Sequence, residues 1–193
     1  MKSTTLLLVA TLASVAAGTS RADQAIFAGG CFWCMEEAFQ KLDGVSEVIS
    51  GFTGGTLENP TYDGNHEGHY EAVQVTYDPK IITYQQLLKV YWRNIDPFDD
   101  KGQFCDKGHS YLSAIFVADD EQRRLARVSK EKVIMRFADQ TVVTPILAAT
   151  TFYPVKAHHQ DYYLKNPWRY KFYKAACRRT DRLEEIWGRP EKH

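Results

Sequence analysis

Apolar positions in this chain fall into separate stretches, some alternating every second residue and some recurring every three to four. The switch between these periods predicts the elements. Ala25 to Ala28 reads as a short strand that stops at Gly29-Gly30. A helix follows, with Met35, Ala38, Phe39 and Leu42 on one face and Asp43-Gly44 as its stop. Val45 to Phe52 is a β-branched strand, and Glu71 to Tyr77 is another with Val73, Val75 and Tyr77 on one face. Between them Thr53 to His69 is rich in Gly, Asn, Thr and Pro, a long loop of the kind that usually carries function. Thr83 and Gln86 form a capping box for a helix whose apolar face is Tyr84, Leu87, Leu88, Tyr91 and Ile95. Ser113 to Val117 is a strand, and Asp119 or Asp120 caps a helix that runs to about Phe137. Val142 to Leu147 is a further short strand. From Thr151 the chain is aromatic and basic, ending on an amphipathic helix, Arg182 to Trp187.

From Ala25 to Val117 the order is strand, helix, strand, strand, helix, strand. That order predicts an α+β, ferredoxin-like (split βαβ) two-layer sandwich with a long C-terminal tail. Repeats, low-complexity runs and internal linkers are absent from the sequence, so residues 23–193 are expected to form a single domain. Residues 1–22 read differently. Lys2 is followed by an apolar run, Leu6 to Ala17, and Ser20-Arg21-Ala22 sets small residues where a signal peptidase cuts. The run is short for a membrane anchor and lacks the polar face of a core helix. A secretory signal cleaved after Ala22, with export to the periplasm or beyond, is the expectation.

Composition narrows the function. With 193 residues, 44% of them hydrophobic, the chain suits one well-cored domain. Lysine plus arginine equals aspartate plus glutamate at 24 each, so no bulk field draws it to nucleic acid or to anionic membrane. Recognition must come from a local site.

Four cysteines are present: Cys31, Cys34, Cys105 and Cys177. In an oxidising compartment they could form two structural disulfides, although a chain of this size does not need such staples. The segment AGGCFWCM, residues 28–35, argues for chemistry instead. Cys31 follows a strand and two glycines and opens a helix, where unpaired N–H groups and the helix dipole favour a thiolate. Phe32 and Trp33 supply an aromatic wall beside it. Zinc sites also use a CxxC, but they want a second CxxC or well-spaced histidines, and neither accompanies this one. No metal is expected. Glu71 shares the parity of Val73, Val75 and Tyr77, which makes it either a solvated strand end or a carboxyl of raised pKa at the edge of the core.

The chain also resembles the A-type peptide methionine sulfoxide reductases. The likeness is carried in order by GCFW, SGFTGGTLENPTYDG, GHYEAVQVTYDP, NIDP, GHSYLSAIF and HHQDYYLKNP, from about Ile26 to Pro167. The resemblance implies a ferredoxin-like α+β fold and reduction of methionine (S)-sulfoxide by Cys31. It implies Glu71 as the acid for the departing oxygen, Tyr62 and Tyr111 as hydroxyls that hold that oxygen, and Asp106 as an orienting carboxylate. Phe32 and Trp33 would take the substrate methyl group, and His159 would support the site. No cofactor is implied, only an external thiol reductant such as thioredoxin, with oxidised proteins and peptides as substrates. Neither nucleic acid nor, after signal removal, a membrane is an expected partner, and the chain is expected to be a monomer. Departures lie on the outer surface: the loop from Tyr62 to Glu71 is short, Ser110 and Leu112 replace the common glutamine and arginine, and Lys156 and His158 replace an acid and a tyrosine.

Attack on a sulfoxide leaves Cys31 as a sulfenic acid, which a second thiol must condense with. Cys34 lies one helical turn away on the same face and is the favoured resolving thiol. Many relatives have glycine there and use a tail cysteine, which makes Cys177 the alternative. Cys105 is expected to be buried and inert. Two other functions compete. A dithiol–disulfide oxidoreductase would use the CxxC pair, but a thioredoxin-like βαβ does not precede it. A non-catalytic module could grip a partner, even single-stranded nucleic acid, with the aromatic tail Trp168 to Tyr173. Neutral charge and the export signal argue against that.

Overall fold

The computed structural model describes residues 22–189, so the expected signal segment lies, apart from Ala22, outside the described residues. The chain runs as β1 (Asp23–Gly29), α1 (Phe32–Gln40), β2 (Val45–Thr53), β3 (Tyr70–Tyr77), α2 (Tyr84–Arg93), a small hairpin of β4 (Gly102–Gln103) and β5 (Asp106–Lys107), and a 3-10 turn at His109–Tyr111. It continues with β6 (Ser113–Val117), α3 (Asp120–Arg136), β7 (Ile146–Ala148), β8 (Tyr153–Pro154), α4 (Tyr162–Lys165), α5 (Pro167–Ala176) and α6 (Arg179–Trp187). This is a mixed α and β architecture around one six-stranded sheet of order β7-β6-β1-β3-β2-β8.

Local chemistry sets the element ends. The Thr83 side chain accepts from the Gln86 N–H at 3.3 Å, while the Gln86 side chain accepts from the Thr83 N–H at 2.8 Å. Asp119 caps α3 by accepting from the Gln122 N–H at 2.8 Å. Each such cap stabilises its helix by about 1 kcal/mol.

The central strands β6, β1, β3 and β2 pair antiparallel, and β1 and β3 align Ala25 with Val75 and Phe27 with Val73. One face of this sheet carries Phe27, Val73, Val75 and Ile115 against Met35, Phe39, Leu87, Leu88, Tyr91, Ala126 and Val133 of α1, α2 and α3. Phe27 stacks on Phe39 at 5.0 Å and on Tyr91 at 5.1 Å. The other face is a smaller cluster of Ala28, Ala72, Ala114 and Phe116 beneath loop and edge residues. Period-two alternation is therefore blunted in β6, where all five residues are buried.

Two features exceed the sequence reading. The sheet gains a short edge strand, β8, which pairs with β2, while the strand expected from Val142 is β7, starting later at Ile146 and parallel to β6. The tail holds three helices where only the last was expected, and that one starts at Arg179. Helix α5 begins on Pro167, a good first helical residue, but its buried face is narrow, with Tyr170 alone fully buried. Such a face leaves little periodicity to read.

Candidate active site

Close packing explains the two glycines before Cys31. A Cβ on Gly29 would sit 2.6 Å from the Met35 sulfur, and one on Gly30, which has φ of +77°, would sit 2.5 Å from Gln103 Cβ. Only glycine permits this turn. It delivers Cys31 as the N-cap of α1, at the end of β1. Neighbouring β3 delivers Glu71 to the same place, and the Phe32 N–H donates to Glu71 Oε2 at 3.1 Å. Glu71 is 2% exposed. Burial is the main cause that pushes its carboxyl up to about 8, against the lowering effect of the Phe32 N–H. A carboxyl in that range is protonated at neutral pH and can donate.

Cys31 and Cys34 are both free and buried. The thiols are hydrogen-bonded to each other, and their environments split them. Burial pushes Cys31 well above the ordinary thiol range, reinforced by its bond to Cys34 and by Glu71. Its bond to Cys31 is the largest cause lowering Cys34 to about 6, with Arg179, Tyr170 and Lys174 contributing. Burial thus works against the helix start at Cys31, and of the two thiols Cys34 is the one its surroundings lower.

The aromatic residues gather around this pair. Phe32 is fully buried, with ring centres of Tyr62 at 5.9 Å, Phe52 at 6.0 Å and His159 at 6.1 Å. Tyr62 also lies 6.0 Å from Trp33 and 4.2 Å from His159. Burial pushes the Tyr62 hydroxyl up to about 12, with Glu71 and Cys31 adding to it. Tyr111, from the 3-10 turn, is raised by burial and then by Glu71, Tyr62, Asp106 and Cys31. Both tyrosines stay protonated as donors. His159 is buried, with both ring nitrogens unpartnered among the described residues, and burial lowers its pKa, leaving a neutral ring.

A sequence model of the family described as peptide methionine sulfoxide reductase matches residues 23–191. This chain belongs to that family. It is 49% identical over 170 residues to the peptide methionine sulfoxide reductase MsrA of Bacillus licheniformis, covering 86% of this chain and 93% of that protein. Among solved structures it is similar to methionine sulfoxide reductase A of Corynebacterium diphtheriae, with 32% identity, a TM-score of 0.72, and 78% and 77% of the two chains covered. It shares its fold with Mxr1 of Saccharomyces cerevisiae in a complex with Trx2, at 22% identity and a TM-score of 0.53, over 77% and 90% of the two chains.

The sequence reading of this reductase missed the contribution of the tail. Tyr162 of α4 stacks on Trp33 with ring centres 3.8 Å apart, so one face of that indole is covered. Tyr173 of α5 donates its hydroxyl to Asp106, which burial raises and this bond lowers. Tyr170, one turn earlier, packs with Cys31 and Cys34 and donates to Glu37 at 2.5 Å. The spacing of Tyr170 and Tyr173 equals that of Cys34 and Cys31, a signal present in the sequence but legible only once α5 is known to lie over α1.

Two cysteine expectations change. Cys105 is exposed rather than buried, and it is bonded to Cys177 in a disulfide spanning 72 residues. Cys177, the alternative resolving thiol, thus faces Cys105 and not Cys31. The bond fastens the end of α5 to the hairpin that carries Asp106.

Proposed function

We propose that the protein is a peptide-methionine (S)-S-oxide reductase that repairs oxidised methionine in proteins and in the free amino acid. The observation that carries this is a nucleophilic thiol, Cys31, and a neutral carboxyl, Glu71, both buried at one helix start. Deprotonated Cys31 attacks the sulfoxide sulfur, and Glu71 gives its proton to the oxygen. Methionine leaves, and Cys31 keeps the oxygen as a sulfenic acid. Cys34 then attacks the sulfenic sulfur, the S–O bond breaks, and hydroxide leaves with a proton as water. The resulting Cys31–Cys34 disulfide is reopened by an external dithiol of the thioredoxin class. The Trx2 complex of the yeast relative supports that choice of reductant.

Tyr62 and Tyr111 donate to the sulfoxide oxygen, Asp106 orients substrate or water, and Phe32 with the open side of Trp33 receives the methyl group. We read the strand order β6-β1-β3-β2, with helices α1 and α2 as its crossovers, as the ferredoxin-like split βαβ arrangement. Lys2, the run Leu6 to Ala17 and the small residues before Asp23 support export and removal of the leader.

Turnover of a methionine sulfoxide peptide with dithiothreitol tests the activity, and Cys31→Ser should abolish it while the protein stays folded. Substantial turnover in that variant would reject the mechanism. A peptide map after one turnover without reductant should show a Cys31–Cys34 link.

A further inference from the structure

A buried charge normally comes with its counter-charge, since an isolated one costs several kcal/mol. Arg179 breaks this pattern. It opens α6, is 3% exposed, and among the described residues makes no ion pair with a carboxylate. Its Nη2 donates to the Asn94 carbonyl at 2.5 Å and touches the Met35 sulfur at 3.5 Å, and its guanidinium lies 4.4 Å over the Phe104 ring. The Asn94 carbonyl is at the C-terminus of α2, whose dipole offsets only part of a full charge. Neighbouring Arg178 and Arg182, by contrast, pair with Asp181 and with Asp96 and Glu185.

Cys34, next to Met35, faces the same space as Arg179, and the Asp106 carboxylate also interacts with the Arg179 charge. Arg179 and Lys174 line a cavity of about 400 Å³ together with Cys34. Lys174 pairs with Glu37 at 2.6 Å, and Tyr170 donates to the same carboxylate. Lys41 also pairs with Glu37 at 2.7 Å, so two lysines share one carboxylate and leave an excess positive charge.

We propose that Arg179, with Lys174 and Tyr170 beside it, is the counter-charge that holds Cys34 as an anion in the reduced enzyme and so prepares it as the resolving nucleophile. This rests on the reading of Cys34 as the resolving thiol. Arg179 and Lys174 are positioning residues, acting through Cys34 without touching substrate. Other groups facing Cys34 are Cys31 on α1, Glu71 on β3 and Tyr173 on α5. The thiol of Cys31 is a proton donor to Cys34, and Glu71 is neutral below about 8, so neither opposes the anion at neutral pH.

The proton accounting follows. As Cys31 attacks the sulfoxide, its own proton passes to Cys34, and Glu71 protonates the oxygen. In the second step Cys34 gives that proton to the leaving hydroxide, which departs as water, and attacks as the thiolate that Arg179 stabilises, forming the S–S bond. Arg179 favours each state in which Cys34 carries charge.

Thiolate absorbance near 240 nm, titrated on the full chain and compared with Cys34→Ser, isolates the ionisation of Cys34. Wild type should lose this anion near pH 6, and Arg179→Gln should move the step upward by about 1–2 pH units. At pH 7, Cys31–Cys34 disulfide formation should then slow about tenfold and recover at alkaline pH, which a merely structural defect would not do. Tyr170→Phe, nearly isosteric, should move the step in the same direction by less, and serves if Arg179→Gln does not fold. A step unmoved by both substitutions, or one that survives Cys34→Ser and vanishes in Cys31→Ser, would overturn the proposal. A peptide map without the Cys31–Cys34 link would reject Cys34 as resolving thiol, while the titration still decides the counter-charge.

Discussion

The Phe32 N–H donates to Glu71 Oε2, which places the acid at the same helix start as the Cys31 sulfur. Two groups that both want the positive end of α1 share it, and burial keeps the carboxyl neutral so that they do not repel. Attack and protonation are thereby arranged on one small patch of backbone.

Glu71→Gln should lower the rate of methionine formation by roughly 10²–10⁴, the usual share of general acid catalysis. Glutamine can still accept from the Phe32 N–H, so the fold and the position of Cys31 should be kept. Single-turnover yield of methionine measures this. A loss of only a few-fold would move the acid to Tyr62 or Tyr111.

The pH profile of the first turnover should be bell-shaped. The thiol pair must lose one proton, with Cys34 lowered to about 6 mainly by its bond to Cys31. Glu71 must keep its proton, and burial holds it to about 8. Activity should therefore rise through about pH 6 and fall through about pH 8. Glu71→Gln should abolish the alkaline limb and leave the acid one. An alkaline limb unchanged in that variant would show that another group causes it.

Much of this was legible in the sequence because strong local rules agreed with the global fold. The Thr83–Gln86 box, the Asp119 cap and the parity of Val73, Val75 and Tyr77 each act over a few residues, and each appears in the structure. The expectations for β7, α4 and α5 fell short because those elements are held by contacts distant in sequence. The Tyr162–Trp33 stack and the Tyr173–Asp106 bond join positions that no periodicity connects. Burial of the thiols was not legible for the same reason: the cover over Cys31 and Cys34 comes from Tyr170 and Tyr173 of the tail, far away in sequence.

Glu36 offers a test of stability against pH. It is fully buried on α1, and Oε1 accepts from the Asp161 N–H at 2.9 Å, while Oε2 has no partner among the described residues. Burial raises it to about 7 from an unfolded value near 4.5. For a carboxyl raised on folding, the unfolded chain releases the proton first as pH rises. Native stability should thus fall between about pH 4.5 and 7, by up to a few kcal/mol. Glu36→Gln keeps the shape and cannot ionise, so it should melt higher than wild type at pH 8 and about equally at pH 5. Equal melting temperatures at pH 8 would show that Glu36 ionises freely in the native state.

Cys177→Ser should loosen the tail and expose the nucleophile. The Cys105–Cys177 bond closes a span of 72 residues, so removing it frees the unfolded chain and costs about 2–4 kcal/mol. For a chain of this size that lowers the melting temperature by roughly 4–16 °C. The effect should also be local. Helix α5 sets Tyr170 and Tyr173 over the two thiols, and Cys31 is only 4% exposed under that cover. With its C-terminal end unfastened, α5 should lift more often, and Cys31 should react faster with iodoacetamide, read by peptide mass after short exposure at pH 8. Reducing the bond chemically in the wild type should have the same effect. Unchanged labelling of Cys31 in a variant that melts lower would mean that the tail stays in place through its aromatic contacts, with the disulfide adding stability but not controlling access.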